Sequence, residues 1–270
     1  MFDSYFARKR YESSECTFAN LYIWRHVYSW EWTLTGEYLW LKGAATDSVF
    51  VLPPLGNLEP KLSAAVDTIR AYFASRGRPF FIKGATLETV VFFARNWPDS
   101  FVFSPDRNSY DYVYRSLDLI NLPGRKYRPK RNHLNHFKRQ YPDFCFEPIT
   151  PKLIPALTAG LQSWHRSRNK SPKTMTAEEK QSLQEVLVHW DELKLAGGAI
   201  LIGDKVEAFS VGEDLNEDTF VVHVEKANPG IRGIYQAINQ EFCKYYCRGK
   251  QFVNREEDMG IAGLRIAKKS

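Results

Sequence analysis

Apolar residues in the first half of the chain recur with two different periods, which predict helices and strands. Spacing of three to four residues is typical of a helix with one buried face, and short β-branched or aromatic runs are typical of strands. The predicted helices are residues 17–28, 60–77 and 87–96. The predicted strands are residues 30–43, 48–52 and 79–82. An extended stretch, residues 101–114, closes this half.

The second half has the same two periods in a similar order. The predicted helices are residues 152–167, 177–195 and 231–245. The predicted strands are residues 144–149, 199–202, 206–212, 219–225 and 251–254. Thr176 and Glu179 have the spacing of a capping box, which marks the start of the second of these helices.

Each half therefore contains strands, a helix, another strand and another helix, with the helix entered directly from a strand. This is the element order of the acetyltransferase-like fold, so we expect an α/β chain with tandem acetyltransferase-like domains and mixed sheets flanked by helices. The expected halves are residues 1–123 and 144–270. A basic linker or helix, residues 124–143, joins them.

Composition narrows the class of protein. A chain of 270 residues with 44% hydrophobic content can bury one large core or two ordinary ones. It contains no run of about 18 uncharged apolar residues, which a membrane-spanning helix would need. Its first ten residues lack the layout of a secretion signal. We expect the protein in the cytoplasm, either free or attached peripherally to the inner face of the membrane.

The four cysteines do not form the dense pattern of a disulfide framework, which fits a reducing compartment. Cys243 and Cys247 are one helical turn apart, but no second Cys or His pair accompanies them with the spacing of a zinc site. Buried free thiols are the ordinary alternative. The sequence predicts no metal site.

Positive charge is concentrated in one segment. The chain has a net charge of +6, which is modest, but residues 124–140 contain seven Lys and Arg residues and no acid. The residues expected to face an anion are Arg125, Lys126, Arg128, Lys130, Arg131 and His133. Interleaved basic and aromatic residues suit RNA, and an anionic membrane surface would suit them equally. The alternative is a solvated helix face.

A second candidate site is the turn between the strand ending near Glu225 and the helix beginning near Ile231. Helix N-termini offer unpaired N–H groups and the positive end of the helix dipole, so they bind phosphate readily. The residues expected to hold an anion here are Lys226, Gly230, Arg232 and Gly233. A plain helix-starting turn is the alternative.

The acidic and basic run near the C-terminus is a third candidate. Arg265 and Lys268 are three residues apart, on one face of a predicted helix, and suit a phosphate or carboxylate. Glu256 and Asp258, together with Glu213 on a more central strand, suit recognition of a cationic amino group. The alternative is a solvated terminal helix with internal ion pairs.

The fourth candidate is Glu213, at the end of the middle meander strand, together with His223 and Glu225 on the next strand. Residues two apart on a strand point to the same face, so a histidine and a carboxylate there can share a proton during acyl transfer. We name His223 and Glu225 as candidate catalytic residues. The alternative is a structural pair, and no Ser-His-Asp set or nucleophilic cysteine competes with them.

Six segments together resemble a known family. They are Asp111–Tyr114, Gly124–His133, His223–Ala227, Tyr235–Phe242, Asn254–Gly260 and Gly263–Lys268. The chain resembles the stand-alone bacterial relatives of the phosphatidylglycerol lysyltransferase C-terminal domain. This resemblance implies tandem acetyltransferase-like domains, tRNA as a partner, and transfer of an aminoacyl group from aminoacyl-tRNA to a lipid or another amine or hydroxyl acceptor. It implies no required cofactor.

Two other functions stay open at this point. A coenzyme A-dependent N-acetyltransferase would use acetyl-CoA as the donor, although Tyr235 and Gln236 occupy the place of the third glycine of the usual phosphate loop. A non-catalytic module that binds RNA or an anionic membrane would use the basic segment without turnover.

Overall fold

The computed structural model describes residues 1–45, 48–167 and 177–269. The chain divides into two compact units, residues 1–109 and 110–270. The second unit starts before the boundary expected after residue 123, because residues 113–115 form a strand that pairs with residues 252–254. Within the described residues, no helix is both long and apolar enough to cross a bilayer.

The first unit packs helices on both faces of a three-stranded antiparallel sheet. Its strands are β1 (Glu31–Thr35), β2 (Tyr38–Ala45) and β3 (Ser48–Val51). Its helices are α1 (Phe2–Phe6), α2 (Phe18–Ile23), α3 (Arg25–Tyr28), α4 (Leu62–Ala74) and α5 (Leu87–Asn96). The core between the sheet and α4 is rich in aromatic side chains, and α5 contributes the fully buried Phe93 to it.

Three predictions for this unit need correction. Residues 79–82 do not form a strand, because their pairing is limited to one parallel bridge between Val51 and Ile82. The extended stretch at residues 101–114 joins a sheet only from Val113 onward, and residues 107–109 form a 3-10 turn. The helix expected at 17–28 is interrupted at Trp24, where α2 ends and α3 begins.

The second unit contains a six-stranded mixed sheet in the order β4-β9-β8-β7-β6-β5. Its strands are β4 (Val113–Arg115), β5 (Cys145–Pro148), β6 (Ala196–Ile202), β7 (Lys205–Asp214), β8 (Thr219–Ala227) and β9 (Phe252–Asn254). All neighbouring strands are antiparallel except β8 and β9, which are parallel. The predicted meander of three strands and the returning strand are confirmed.

Seven described helices accompany this sheet. They are α6 (Ser116–Asn121), α7 (Arg128–Gln140), α8 (Ile154–Ser167), α9 (Ala177–Val188), α10 (Trp190–Leu193), α11 (Ile234–Tyr246) and α12 (Ala262–Lys269). The expected helix at 177–195 is broken at His189, between α9 and α10. Of its expected capping box, Thr176 lies outside the described residues, and Glu179 forms an ion pair with Lys226.

Helix α11 and helix α8 cover opposite faces of the central strands. On the α11 side, Ile234 and Ile238 pack against Ala208 and Phe137. On the α8 side, the rings of Trp164 and Phe209 stack with their centroids 6.2 Å apart. Because alternate residues of β7 point to opposite faces, Ala208 packs on the α11 side and Phe209 packs on the α8 side. The mixed α/β character predicted from the sequence is confirmed.

Candidate functional site

The parallel strands β8 and β9 separate near the middle of the sheet. Their backbone ladder extends from Thr219 and Phe252 to Val221 and Asn254, and β8 then continues to Ala227 with no strand partner on that side among the described residues. A register shift in the neighbouring β7 ladder leaves His223 as an extra residue in β8.

Charged side chains interact around this point of the sheet. His223 contacts two carboxylates, Arg255 contacts a third, and the charges of Lys130 and Glu257 interact with members of these two groups. We call these side chains the strand-end cluster: Lys130, Glu213, His223, Glu225, Arg255, Glu256 and Glu257.

His223 is the centre of the strand-end cluster. Its side chain is 0% exposed, and its two ring nitrogens lie 2.8 Å from Oε1 of Glu256 and 3.0 Å from Oε1 of Glu213. Burial by itself lowers the pKa of His223, but the hydrogen bonds and charges of the two carboxylates raise it to about 9. The ring is therefore an imidazolium at neutral pH, and this trio has a net charge of −1.

His223 and Glu225 have separate hydrogen-bond partners, although the sequence analysis grouped them as a pair that can share a proton. Nη2 of Arg255 lies 2.9 Å from Oε1 of Glu225, and Nδ2 of Asn239 donates to the other carboxylate oxygen at 3.0 Å. The register shift at His223 breaks the regular alternation of β8, so the two side chains have separate partners. The side chains of Glu225 and Arg255 are both nearly enclosed, at 13% and 14% exposure.

Lys130 approaches the same cluster from α7. The ammonium is half-buried, and no hydrogen bond or ion pair to it occurs among the described residues. Burial, followed by the positive charge of Arg255, lowers the pKa of Lys130 to about 8, although Glu225 opposes this effect. A half-buried lysine whose ammonium has no hydrogen-bond or ion-pair partner among the described residues is a candidate to bind a negatively charged group.

Glu257 is a candidate site residue that the sequence prediction did not include. Burial and then the charge of Glu256 raise the pKa of its carboxyl to about 7. A carboxyl group that titrates near neutrality is suited to accept a proton during a reaction. The available signal in the sequence was its position within an acidic run directly after a strand. Its neighbours Glu256 and Asp258 are buried as well, but their carboxylates pair with His223 and Arg265, whereas no hydrogen bond or ion pair from another residue to the Glu257 carboxylate occurs among the described residues.

The backbone around Glu257 is strained. Glu256 has φ of +55° and Met259 has φ of +53°, values that residues other than glycine rarely adopt. The side chain of Asn254 accepts a hydrogen bond from the N–H of Glu256 at 2.8 Å, and Lys268 donates to the carbonyl oxygen of Glu257 at 2.7 Å. Such strain persists where surrounding contacts maintain it, and it is frequent at functional sites.

Arg265 and Lys268, both predicted to bind phosphate, stabilise this loop. The guanidinium of Arg265 forms two hydrogen bonds of 2.7 Å with the carboxylate of Asp258, which also accepts one from the hydroxyl of Tyr112 at 2.6 Å. Arg265 holds the pKa of Asp258 well below its usual range. Lys268 donates to carbonyl oxygens of residues 255–257. Phosphate binding by either residue would require these contacts to open.

In the turn that was predicted to bind phosphate, the polar groups contact other groups of the protein. Lys226 pairs with Glu179, the N–H of Gly230 donates to Oδ1 of Asn228 at 2.9 Å, and Nε of Arg232 lies 3.5 Å from Nδ1 of His133. The packing of two helices explains why glycine is present at position 233. Its φ is +88°, and a Cβ atom there would lie 2.1 Å from the carbonyl oxygen of His133, so glycine allows α11 to approach α7.

Some basic residues of this segment form contacts within the protein, and others are exposed to solvent. Arg131 donates to the carbonyl oxygens of Leu122 and Gly124, and Lys138 pairs with Glu241. The exposed residues Arg125, Lys126 and Arg128 have no ion pair within the described part of the chain, and we call them the basic corner. Lys126 lies over the ring of Tyr127, 5.3 Å from its centroid.

Two surface grooves occur in the first unit beside β1 and α4, with volumes of about 360 and 210 Å³. Three threonines and the aromatic residues Trp32, Trp40 and Tyr72 contribute to their walls. Lys42 lies in the smaller groove, but its ammonium is already 2.8 Å from Glu31 and 2.9 Å from the hydroxyl of Tyr72. The convergent titratable groups are those of the strand-end cluster, so chemistry is better supported in the second unit.

Comparison with known proteins gives a consistent assignment. The family model described as "Phosphatidylglycerol lysyltransferase, C-terminal" matches residues 6–270. The crystal structure of a conserved protein of unknown function from Bacteroides thetaiotaomicron is 32% identical and has a TM-score of 0.89, covering 99% of this chain and 90% of that chain.

Two more distant structures share the fold. The C-terminal domain of a putative lysylphosphatidylglycerol synthetase from Agrobacterium fabrum is 15% identical, with a TM-score of 0.60, covering 95% of this chain and 79% of that chain. The structure of FemX is 6% identical, with a TM-score of 0.63, covering 100% and 92%. The predicted fold class is confirmed.

One curated relative, an uncharacterized protein of Mycoplasmoides gallisepticum, is 24% identical over 166 residues. The match covers 60% of this chain, and the chain spans about half of that relative, 52% of its length. The family match supports an aminoacyl- or acyltransferase in general terms.

Proposed function

Because the chain belongs to the family of the phosphatidylglycerol lysyltransferase C-terminal domain, we propose that it transfers an aminoacyl group from aminoacyl-tRNA to a lipid or another amine or hydroxyl acceptor. The reaction takes place at the strand-end cluster. One observation carries this proposal: the Glu257 carboxyl, which titrates near neutrality, is adjacent in the chain to the Glu256 carboxylate of the anionic trio around His223.

The trio of Glu213, His223 and Glu256 recognises the amino group of the aminoacyl donor. Its net negative charge attracts an ammonium, and the imidazolium of His223 fixes the two carboxylates in place. Glu213 is the more exposed of the two carboxylates, at 24% against 9%, so it is the one that meets the ligand. His223 is then a positioning residue, because its raised pKa makes it a poor base.

Glu257 accepts the proton of the acceptor. The acceptor oxygen or nitrogen forms a bond to the ester carbonyl carbon, and its proton moves to the Glu257 carboxylate. The bond between that carbon and the ribose oxygen then breaks, and the departing ribose hydroxyl takes the proton back from Glu257. The ammonium of Lys130 stabilises the negative charge that develops on the carbonyl oxygen.

The basic corner binds the tRNA backbone beside this site. Arg125, Lys126 and Arg128 are exposed cations, and the segment containing them leads into α7, which also carries Lys130. Phosphate contacts of this kind supply affinity without selecting a sequence, which suits recognition of an acceptor arm common to many tRNAs.

The test is incubation of the protein with a mixed pool of labelled aminoacyl-tRNAs, with and without phosphatidylglycerol vesicles, followed by measurement of label lost from tRNA and gained elsewhere. Glu257→Gln should slow transfer about 100- to 10,000-fold, since it removes the proton acceptor but keeps the side-chain shape. The rate of the wild-type protein should rise with pH through about 7, as the Glu257 carboxylate forms.

Glu147→Gln is the matched control, because Glu147 is an exposed carboxylate on β5, an edge strand of the same sheet that is separated from β8 by two strands. A transfer rate equal in Glu257→Gln and in wild type would remove Glu257 from the mechanism. If no tRNA loses its label under any condition while acetyl-CoA raises the melting temperature, the donor is coenzyme A-linked and the proposal is wrong.

A further inference from the structure

Strand β1 lies at the edge of the three-stranded sheet of the first unit. It pairs with β2 along its full length, from residue 31 to residue 35. On its other side, no backbone hydrogen bond to these residues occurs in the part of the chain that the structure describes. Sheet proteins usually protect such an edge with a lysine, a proline or a bulge, and β1 contains none of these. The edge is therefore open to a further strand.

In the second unit, the corresponding edge is covered. Both units contain three consecutive antiparallel strands, then a helix, then a segment that pairs in parallel with the third strand. In the second unit, β6 is the first of those three strands, and β5 pairs antiparallel with its outer side. In the first unit, β1 has the position of β6, but no described strand corresponds to β5. The fold therefore accommodates one more antiparallel strand beside β1.

The backbone of β1 determines which residues can bond to an added strand. Thr35 and Tyr38 flank a two-residue turn, so they form a hydrogen-bonded pair. Hydrogen-bonded and non-bonded pairs alternate along an antiparallel ladder. The N–H and C=O groups of Trp32 and Leu34 therefore point away from β2, toward the open edge.

Trp32 and Leu34 also expose apolar side chains beside this edge. Because they are two residues apart on a strand, both side chains lie on one face of the sheet, and they are 53% and 44% exposed. The ring centroid of Phe2 lies 6.0 Å from that of Trp32 and 5.6 Å from that of Phe18, which is 40% exposed. Exposed aromatic side chains next to unpaired backbone groups are typical of a surface that another chain covers.

We propose that two copies of the chain associate through β1, with the two β1 strands antiparallel about a two-fold axis at Thr33. This register pairs the strands along their full length. It places Trp32 opposite the partner's Leu34, and the symmetry repeats this apolar pair on the other side of the axis. Because the backbone groups of both residues point toward the open edge, each such pair exchanges both of its N–H···O bonds.

The self-complementary pattern favours a second copy over an unrelated peptide. In the same register Glu31 faces the partner's Thr35, and its charge is already paired with Lys42 of its own chain at 2.8 Å, so no like charges meet. A stable interface buries about 800 Å² on each partner. One pair of five-residue strands with a few exposed side chains is a smaller contact, so the dimer is weak and depends on concentration.

The test is sedimentation velocity of the full chain over a concentration series, without tRNA or lipid. We expect a monomer at low and a dimer at high concentration. Leu34→Pro should weaken self-association at least about tenfold, because it removes an N–H donor from both symmetric pairs but no bond to β2. Leu87→Pro is the matched control, since Leu87 is 77% exposed at the first position of α5, where proline is tolerated. Thermal melts establish that both variants are folded.

A second measurement tests the register. Trp32→Lys and Leu34→Glu should each be monomeric alone, because a charged side chain then faces an apolar one in both pairs. In an equal mixture, the introduced ammonium faces the introduced carboxylate in one pair, and the native Trp32 and Leu34 face each other in the other pair. Mixed dimers should therefore form, since opposite charges directly across two strands stabilise their pairing.

Three results would overturn the proposal: a wild-type chain that is monomeric at every concentration, equal self-association of wild type and Leu34→Pro, or a mixture of Trp32→Lys and Leu34→Glu that stays monomeric. The first shows that no second copy covers the edge, the second moves the dimer contact to another surface, and the third excludes the register about Thr33. None of these measurements involves tRNA or turnover, so their outcome is independent of the proposed function.

Discussion

The two units of the chain differ in what they bury. The first unit has a core of packed aromatic rings, with centroids of neighbouring rings 5.0 to 6.2 Å apart among Phe73, Phe80, Phe93, Trp97 and Phe101. The second unit has apolar cores too, but it also encloses the charged residues His223, Glu225, Arg255, Glu256 and Asp258.

This difference is our reason for placing the proposed function in the second unit. Removing charge from water costs free energy, and replacing a buried ion pair by apolar residues is often neutral or stabilising. Several charged groups enclosed around one end of a strand pair are therefore weak evidence for a purely stabilising role. Perturbed titratable groups of this kind cluster at functional sites. The aromatic core of the first unit needs only packing as its explanation.

The largest expected effect is a loss of stability in the first unit, and it tests whether the aromatic core of that unit has only a packing role. Phe93→Ala removes a ring that is 1% exposed and contacts Trp97 and Phe101, so it should lower the free energy of unfolding by about 3–5 kcal/mol. Urea denaturation measures this change. If tRNA affinity, measured below the unfolding transition, fell as well, the assignment of binding to the second unit would be in doubt.

The next effect is a pH dependence of stability that originates in the second unit. The pKa of His223 is raised from 6.5 to about 9, so its protonated ring stabilises the fold below about pH 6.5, and this contribution disappears as pH rises through about 9. The full loss is about 3 kcal/mol. His223→Gln should flatten the dependence in denaturation curves measured at pH 6 to 10. His189→Gln, at an exposed histidine, should not alter it.

The smallest expected effect concerns the basic corner. Arg128→Gln should weaken tRNA binding a few-fold and reduce the slope of log affinity against log salt by about 1, because one phosphate contact is lost. Fluorescence anisotropy over a salt series measures both quantities. Arg95→Gln provides the control, since Arg95 is an exposed arginine on α5 of the first unit. An unchanged slope in Arg128→Gln would indicate that the basic corner does not bind tRNA.

Elements with strong local signals were predictable from the sequence. Helix α5 has the predicted bounds, because Thr86 caps it by accepting a hydrogen bond from the N–H of Thr89 and Pro98 follows its end. The meander β6-β7-β8 was predictable because its turns contain Gly203 and Asn216. Residues 79–82 misled the prediction, since a strand-like composition does not establish that a partner strand is available.

The membership of the candidate site was predictable only in part. His223, Glu213 and Glu256 were each identified as candidates, but the sequence paired His223 with Glu225 by alternation along a regular strand. The register shift in β8 could not be read from residue types, because it arises from pairing with β7. Glu257 was missed for a related reason: its raised pKa comes from burial, which depends on residues distant in the chain.

The sequence by itself determined the element types, the family and the concentration of basic residues before α7, because these depend on local composition and spacing. Only the tertiary structure decided which charges meet. It directed Arg265 and Lys268 inward to the loop at residues 255–258, left the apolar side chains of α12 in solvent, and enclosed His223 between two carboxylates. The physical reason is that desolvation and charge pairing depend on distances between side chains in space, which a one-dimensional pattern does not contain.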